Sequence, residues 1–311
     1  MRVTGSYYSQ AMVSQLNTLA SRQYKLQNQI ATGQRIHAPE DDPAAMQRTM
    51  ALRDQQQSLG QFQDNIAVLR ERAMAAFDQL KALKQKADRA AEITIRADGL
   101  RSPEELTAYG HEITKLIEES VQLLNAKHRD QYLFSGTRAD QMPFAITKDA
   151  TGAITAVTYQ GSSSVAEADI ESGASLSVDV PGENHSGGGV RGLVADSRFG
   201  ADLFNHLISL QNHLLAGDTA AASSTDRVAL EKDEENLIYH IGSNGTVQSR
   251  LETAGSLADR QSLSLGTMIS KEADADLAES IMQLNQTQTA YQAALASGAG
   301  LLRMSLMDYL R

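Results

Sequence analysis

The sequence predicts a mainly α protein with a small β insert. Both termini contribute to a long antiparallel helical bundle or coiled coil, with a β-rich domain at the distal end. Three observations carry this. Apolar residues recur in alternating steps of 4 and 3 at each end of the chain: Met12, Leu16, Leu19, Gln23, Leu26 and Ile30, then Leu277, Ile281, Leu284, Gln288, Tyr291 and Leu295, continuing through Gly298 to Leu302. That spacing averages 3.5 residues, the repeat of a helix burying a narrow stripe against another helix, and one Gln in each stripe is the kind of polar residue that fixes register. The same alternation runs unbroken through a much longer segment after the first stripe. Helical periodicity then disappears over residues 132–200 and returns afterwards.

Taken in order, residues 1–9 read as a short polar lead, and the first helix as running from about Ser9 to Thr32. Gly33 suits the position just past a helix end. Pro39 disfavours helix at Ala38, and Asp42 followed by Pro43 fits an N-cap and first helical position. Leu59, Phe62, Ile66, Leu69, Ala73, Ala76, Leu80, Leu83, Ala87 and Ala90 then mark one helix, from Ala44 to about Ala97. At 1.5 Å per residue it is a rod of roughly 80 Å, a length suited to a bundle.

Asp98 and Gly99 break the rod. Ser102, Pro103 and Glu105 are a capping box that opens a return helix ending near Arg129, antiparallel to the rod. Phe144–Thr147 and Ala153–Tyr159 read as a hairpin about an Asp149–Gly152 turn. Ser164–Ile170 and Leu176–Val180 read as two weaker strands, and residues 181–192 as a glycine-rich loop. Leu203, Phe204, Leu207, Leu210 and Leu214 restore the helix to Gly217, and it resumes near Thr225. Gly242 and Gly245 mark a kink or break. A pause at residues 271–274 precedes the last helix. The expected domains are terminal arms at 1–42 and 272–311, a rod at 43–131 and 201–271, and an outer insert at 132–200.

Composition narrows the function. The chain of 311 residues has no Trp, 5% aromatics and a net charge of −10, without a basic stripe for nucleic acid. It has no Cys, hence no disulfide, thiolate metal site or Cys nucleophile. No stretch approaches the roughly 20 apolar residues of a membrane span, and residues 1–20 lack the apolar core and cleavage site of a signal peptide. Residues 1–39 carry Arg2, Arg22, Lys25 and Arg35 without an acid, whereas residues 274–311 carry four acids against two arginines. That bias favours the arms lying together, though exposed pairs contribute at most about 1 kcal/mol each.

No motif supports catalysis. Gly187, Gly189 and Gly192 spell a dinucleotide fingerprint, but without the buried strand before and helix after that it requires. His111-Glu112 begins a zinc motif whose second histidine position is Lys115. His206 and His213 share a helix side but lack a third ligand. The acid pairs Glu104-Glu105 and Glu118-Glu119 fit a helix cap and an exposed face. The expectation is a non-enzyme without catalytic residue, cofactor or metal. The arms' polar faces are rich in Gln, Ser and Asn, which argues against an anionic membrane surface.

Residues 31–45, Ala-Thr-Gly-Gln-Arg-Ile-His-Ala-Pro-Glu-Asp-Asp-Pro-Ala-Ala, resemble the flagellin-superfamily signature between the N-terminal coil and the first long helix. Tyr132-Leu-Phe-Ser-Gly-Thr137, then Pro143-Phe144 and Tyr159-Gln-Gly161, resemble the superfamily's hook–filament junction branch. The likeness covers residues 1–160 and 225–311 well and 161–200 poorly. It implies a structural adaptor of the bacterial flagellum, exported without a cleavable signal peptide, that polymerises through its terminal helices. The implied partners are its own copies in a ring or helical layer, the other hook-associated junction protein, flagellin, and an export chaperone on the C-terminal helical region. Filament flagellin is the alternative within the superfamily; a cytosolic coiled-coil scaffold is the alternative outside it. The residues expected to carry assembly are the two stripes, from Met12 to Ile30 and from Leu277 to Leu302.

Overall fold

A computed structural model describes residues 4–97 and 100–309, with side chains for residues 10–97 and 100–300. Seven α-helices and nine short strands follow one another among these residues. α1 (Thr4–Thr32), α2 (Pro43–Arg96) and α3 (Pro103–Leu124) come first. The strands follow: β1 (Lys127–His128), β2 (Gln131–Tyr132), β3 (Phe144–Lys148), β4 (Ile154–Tyr159), β5 (Ala168–Glu171), β6 (Ala174–Leu176), β7 (Glu183–Asn184), β8 (Ala195–Asp196) and β9 (Ala201–Asp202). The helices α4 (Leu203–Ala216), α5 (Thr219–Ala221), α6 (Arg227–Ala273) and α7 (Leu277–Tyr309) close the chain, with a π-helical turn (Ala222–Asp226) before α6. Contacts divide it into two units, residues 1–59 with 260–311 and residues 60–259, each holding part of α2 and part of α6.

The helix boundaries follow from local chemistry. α1 begins at Thr4, earlier than the expected start near Ser9, and stops where Gly33 turns to a positive φ of 73°. Asp42 Oδ1 accepts from the Ala45 amide (3.0 Å) and opens α2. Ser102 and Glu105 form the expected capping box on α3. α3 then ends at Asn125, not near Arg129. The Asn125 side chain accepts from the Phe144 amide (3.0 Å) and donates to its carbonyl (2.9 Å), tying the helix end to β3. Arg129 and Asp130 both take positive φ (48° and 63°) as the two-residue turn of the β1–β2 hairpin, the geometry that matches strand twist.

In the second unit, the stripe on α2 through Ile66, Leu69, Ala73, Ala76, Leu80, Leu83, Ala87 and Ala90 is buried throughout. Its C-terminal part packs with Ile113, Ile117 and Leu124 of α3 and with Leu203, Phe204, Leu207, Leu210 and Leu214 of α4. Arg89–Glu112 (2.6 Å) and Lys86–Glu119 (2.5 Å) set α3 antiparallel to α2. The β3–β4 hairpin, turned by Asp149, lays Phe144 and Ile154 on this core, where Phe144 meets Phe204 edge-on at 5.6 Å. Gln211, fully buried on α4, locks the assembly. Its Oε1 accepts from Thr114 Oγ1 (2.8 Å) and from the Ile154 amide (3.3 Å), and its Nε2 donates to the Ile154 carbonyl (3.0 Å). In the Tyr132–Thr137 motif, Gly136 has φ +61°, and a Cβ there would lie 2.1 Å from the Ser162 carbonyl oxygen, so only glycine fits.

Four further expectations are corrected. The second hairpin is β5–β6, with strands at 168–171 and 174–176 in place of 164–170 and 176–180. Its Ile170, Leu176 and Val178 pack as a separate cluster on Ile66, Leu69 and Leu251. The glycine-rich stretch is a structured loop. Asn184 donates to the carbonyls of Gly188 (2.7 Å) and Val190 (2.6 Å), and β7, β8 and β9 form a sheet around it. The helix after Gly217 resumes at Thr219, capped by Asp218. α6 runs unbroken through Gly242 and Gly245, because Asn244, Val247 and Leu251 pack inward from that stretch, which outweighs the roughly 1 kcal/mol that each glycine costs a helix.

Candidate assembly interface

The first unit holds the two predicted stripes. α1 and α7 pack along each other. On α1 the least exposed positions from residue 10 to 27 are Met12, Leu16, Leu19, Gln23 and Leu26, the predicted ones, and Ile30 follows them inward. Leu26 is the best buried, at 5% exposed. α7 meets this stripe with a different face. Its inward positions are Ser280, Leu284, Thr287, Tyr291, Ala294 and Gly298, again in steps of 4 and 3. The small members let the helices approach closely: a Cβ added at Gly298 would stand 2.0 Å from Met12 Cε.

The predicted C-terminal stripe is therefore divided. Leu284, Gln288 and Tyr291 are half-buried toward the α1 side. Leu277, Ile281 and Leu295 are 46%, 47% and 46% exposed, and Met282 next to Ile281 is more exposed still. The side chain of Leu302 lies outside the described residues. Among the described residues, α7 thus turns its smaller residues inward and leaves an apolar row about half exposed. The row Ser280, Thr287, Ala294 and Gly298, spaced 7, 7 and 4, was the sequence signal for this packing.

The base of the arms is a clamp built from the signature segment. The amide of Arg35 donates to the Ala273 carbonyl (2.7 Å), and the amide of Ala275 to the Gly33 carbonyl (2.8 Å), as a short antiparallel bridge. Arg35 Nη2 donates to the Glu272 carbonyl (2.8 Å), while the Glu272 carboxylate receives Arg48 (2.9 Å). Lys25 reaches back to Asp41 (2.6 Å), whose other oxygen accepts from the amides of His37 and Ala38. Ile36 and Ala45 are buried beneath these contacts.

The hydrogen bond from Lys25, with the two backbone donors, lowers the Asp41 carboxyl to about 2. Asp42 is lowered by the Ala45 amide and Arg35, and Glu272 by Arg48. Asp276 starts α7 by accepting from the amides of Ala278 and Glu279. The pairing of Arg48 with Glu272 was not visible in the sequence, because it joins the start of α2 to the α6–α7 connection.

The histidines singled out in the sequence have structural partners. His206 Nδ1 is 2.7 Å from Asp233, and His213 Nδ1 is 2.6 Å from Asp226, which also accepts from Ser209. Burial opposes charging of His206, but the bond and charge of Asp233 outweigh it and raise the imidazole. Glu112 pairs with Arg89. Among the described residues no group of three His, Asp or Glu side chains is arranged to hold a metal, and no helix is long and apolar enough to cross a membrane.

The family model of the bacterial flagellin N-terminal helical region matches residues 4–139. No curated protein matches the chain in sequence. Several solved structures share its fold. That of a Vibrio parahaemolyticus protein assigned as flagellar hook-associated matches with a TM-score of 0.63 at 17% identity, covering 75% of this chain and all of that one. FlgL from Bacillus cereus matches at 0.55 and 20% identity, covering 71% and 99% of the two chains. FlgL from Xanthomonas campestris matches at 0.56 and 16% identity, covering 69% and 98%.

Proposed function

We propose that this chain, with a flagellin-type N-terminal region on the fold of the hook-associated proteins, is a structural adaptor of the bacterial flagellum joining the hook region to the filament. The observation that carries the reading is the coincidence of those two matches. Residues 4–139 correspond to the flagellin region, and the hook-associated structures are covered over 98% or more of their length.

On this reading residues 1–42 and 272–311 are the assembly core, 43–131 with 201–271 the rod, and 132–200 the outer insert. Helices bury apolar rows against partners, and among the described residues the row Leu277, Ile281 and Leu295 stays about half exposed. Further copies cover it in a ring or helical layer, beside the other hook-associated junction protein and flagellin. An export chaperone covers the same C-terminal region before assembly. The protein acts outside the cell, on the flagellum, and performs no catalysis.

Filament flagellin is the second reading, favoured by the name of the matching region. Adding the purified chain to isolated hooks that carry the other junction protein, followed by flagellin, tests both. The expected result is filament growth from hooks only when this chain has been added, with no filaments from the chain alone. Filaments from the chain alone would establish the flagellin reading, and hooks indifferent to its addition would overturn both.

A further inference from the structure

A pocket in the second unit lies outside the terminal arms. It opens between residues 177–180, residues 190–191 and the side of α6, and its volume is about 120 Å³. Arg191 forms one wall. Its guanidinium lies between two aromatic rings, 3.7 Å from the centroid of Phe199 and 4.5 Å from that of Tyr239, and its Nε donates to Asn236 Oδ1. Among the described residues no carboxylate pairs with it, and neither Nη donates a hydrogen bond. The carboxylates nearby are already engaged. Asp179, on the opposite wall, pairs with Arg72 at 2.5 Å, and Asp196 pairs with Arg198 at 2.6 Å.

A second, independent feature points into the same space. Asn244 lines the pocket and is only 5% exposed. Its Oδ1 accepts from Gln248 Nε2 (2.6 Å), and its Nδ2 has no partner among the described residues. That donor is not sealed from solvent, so a group in the pocket can reach it. His240 beside it is not a second cation: burial pushes its imidazole down to about 4, and its Nε2 donates to the Gly192 carbonyl (3.0 Å). Val180, Val190 and Val247 supply apolar walls.

We propose that this pocket binds a carboxylate group, held between the Arg191 guanidinium and the Asn244 amide, with its carbon chain against the three valines. A planar guanidinium matches a carboxylate bidentately, and stacking has already fixed its orientation, so little ordering entropy is lost on binding. With 38 acidic residues in the sequence, an acidic side chain of a second copy is one source of the group. A free small dicarboxylate is the other. The site is independent of the arms, so its failure leaves the adaptor reading intact.

The test is an NMR titration of the full-length ¹⁵N-labelled chain with sodium succinate, against sodium chloride at matched ionic strength. The expected result is a saturable shift of the Arg191 Nε–H and Asn244 Nδ2–H₂ signals. Read on Asn244, the shift should weaken roughly tenfold or more in Arg191→Gln and persist in Arg138→Gln, an arginine away from the pocket. If the same signals also move with protein concentration alone, and succinate reverses that, the natural source is a second copy. If they respond only to succinate, it is a free carboxylate. Shifts that do not saturate, or that are equal in Arg191→Gln with its fold intact by circular dichroism, would overturn the proposal and leave Arg191 a strut between two rings. Arg191→Lys keeps the charge without the fork, and an intermediate affinity is expected of it.

Discussion

Replacing Ile281 by Asp separates assembly from folding. Complete burial of an isoleucine is worth about 1.5–3 kcal/mol. Ile281 is 47% exposed in the lone chain, so docking of a partner helix gains about half of that, roughly 1 kcal/mol. Leu277 and Leu295 are equally exposed, which brings the row to about 3 kcal/mol per contact, or more than a hundredfold in association. An aspartate in the middle forfeits its own share and also requires a charge to be desolvated, at several kcal/mol. Ile281→Asp should therefore bind hooks at least a hundredfold more weakly in co-sedimentation, while hydrogen exchange of α1 and α7 in the dilute chain stays unchanged. Leu284→Asp is the contrasting variant. Leu284 faces α1, so its exchange protection should fall together with assembly. If Ile281→Asp sediments like the parent, or if both variants lose protection equally in the dilute chain, the division of α7 into an inner and an outer face is wrong.

Gln211→Ala removes the partner of the Thr114 hydroxyl and of both backbone groups of Ile154; a loss of about 3 kcal/mol is expected in urea unfolding, with the arms' exchange unaffected. The clamp at the base of the arms is acid-sensitive. The folded Asp41 carboxyl is lowered to about 2, so its contribution is present above the unfolded value near 4 and disappears as the pH falls toward 2; amides of residues 33–42 should lose exchange protection across that window, less so in Lys25→Met, where the loss is already present at neutral pH. His206 runs the other way. Its raised imidazole stabilises below pH 6.5 and loses that contribution as the pH rises through the folded value, so His206→Gln should remove that fall in stability above pH 6.5.

The long helices were legible because their signal is local. Every position of the α2 stripe from Leu59 to Ala90 that a 3-and-4 alternation marks for burial is inward, apart from the half-exposed Phe62. The same alternation read correctly on α1. On α7 two registers compete, large residues at 277, 281 and 295 and small ones at 280, 287, 294 and 298. Hydrophobicity ranks the first higher, whereas the fit to Met12 selects the second. Local rules also failed where distant packing decides. Gly242 and Gly245 remain helical because Val247 and Leu251 of the same helix pack with Ile66 and Leu69 of α2, and the two-residue strands β7, β8 and β9 exist only through one another. The ion partners of Arg48, His206 and His213 lie 224, 27 and 13 residues away in sequence, too far for spacing to read.

The bond from Arg35 to the Glu272 carbonyl spans 237 positions. Anything that delivers the polypeptide starting from its amino end, a ribosome or a narrow conduit, presents the first helix long before the segment that grips its base. Throughout that interval Leu16, Leu19 and Leu26 stand bare. Loop closure over such a span is slow compared with local helix formation. Maturation of the arms is thereby timed to the arrival of the carboxyl end, and a truncated product lacking the last forty residues should remain open however long it waits.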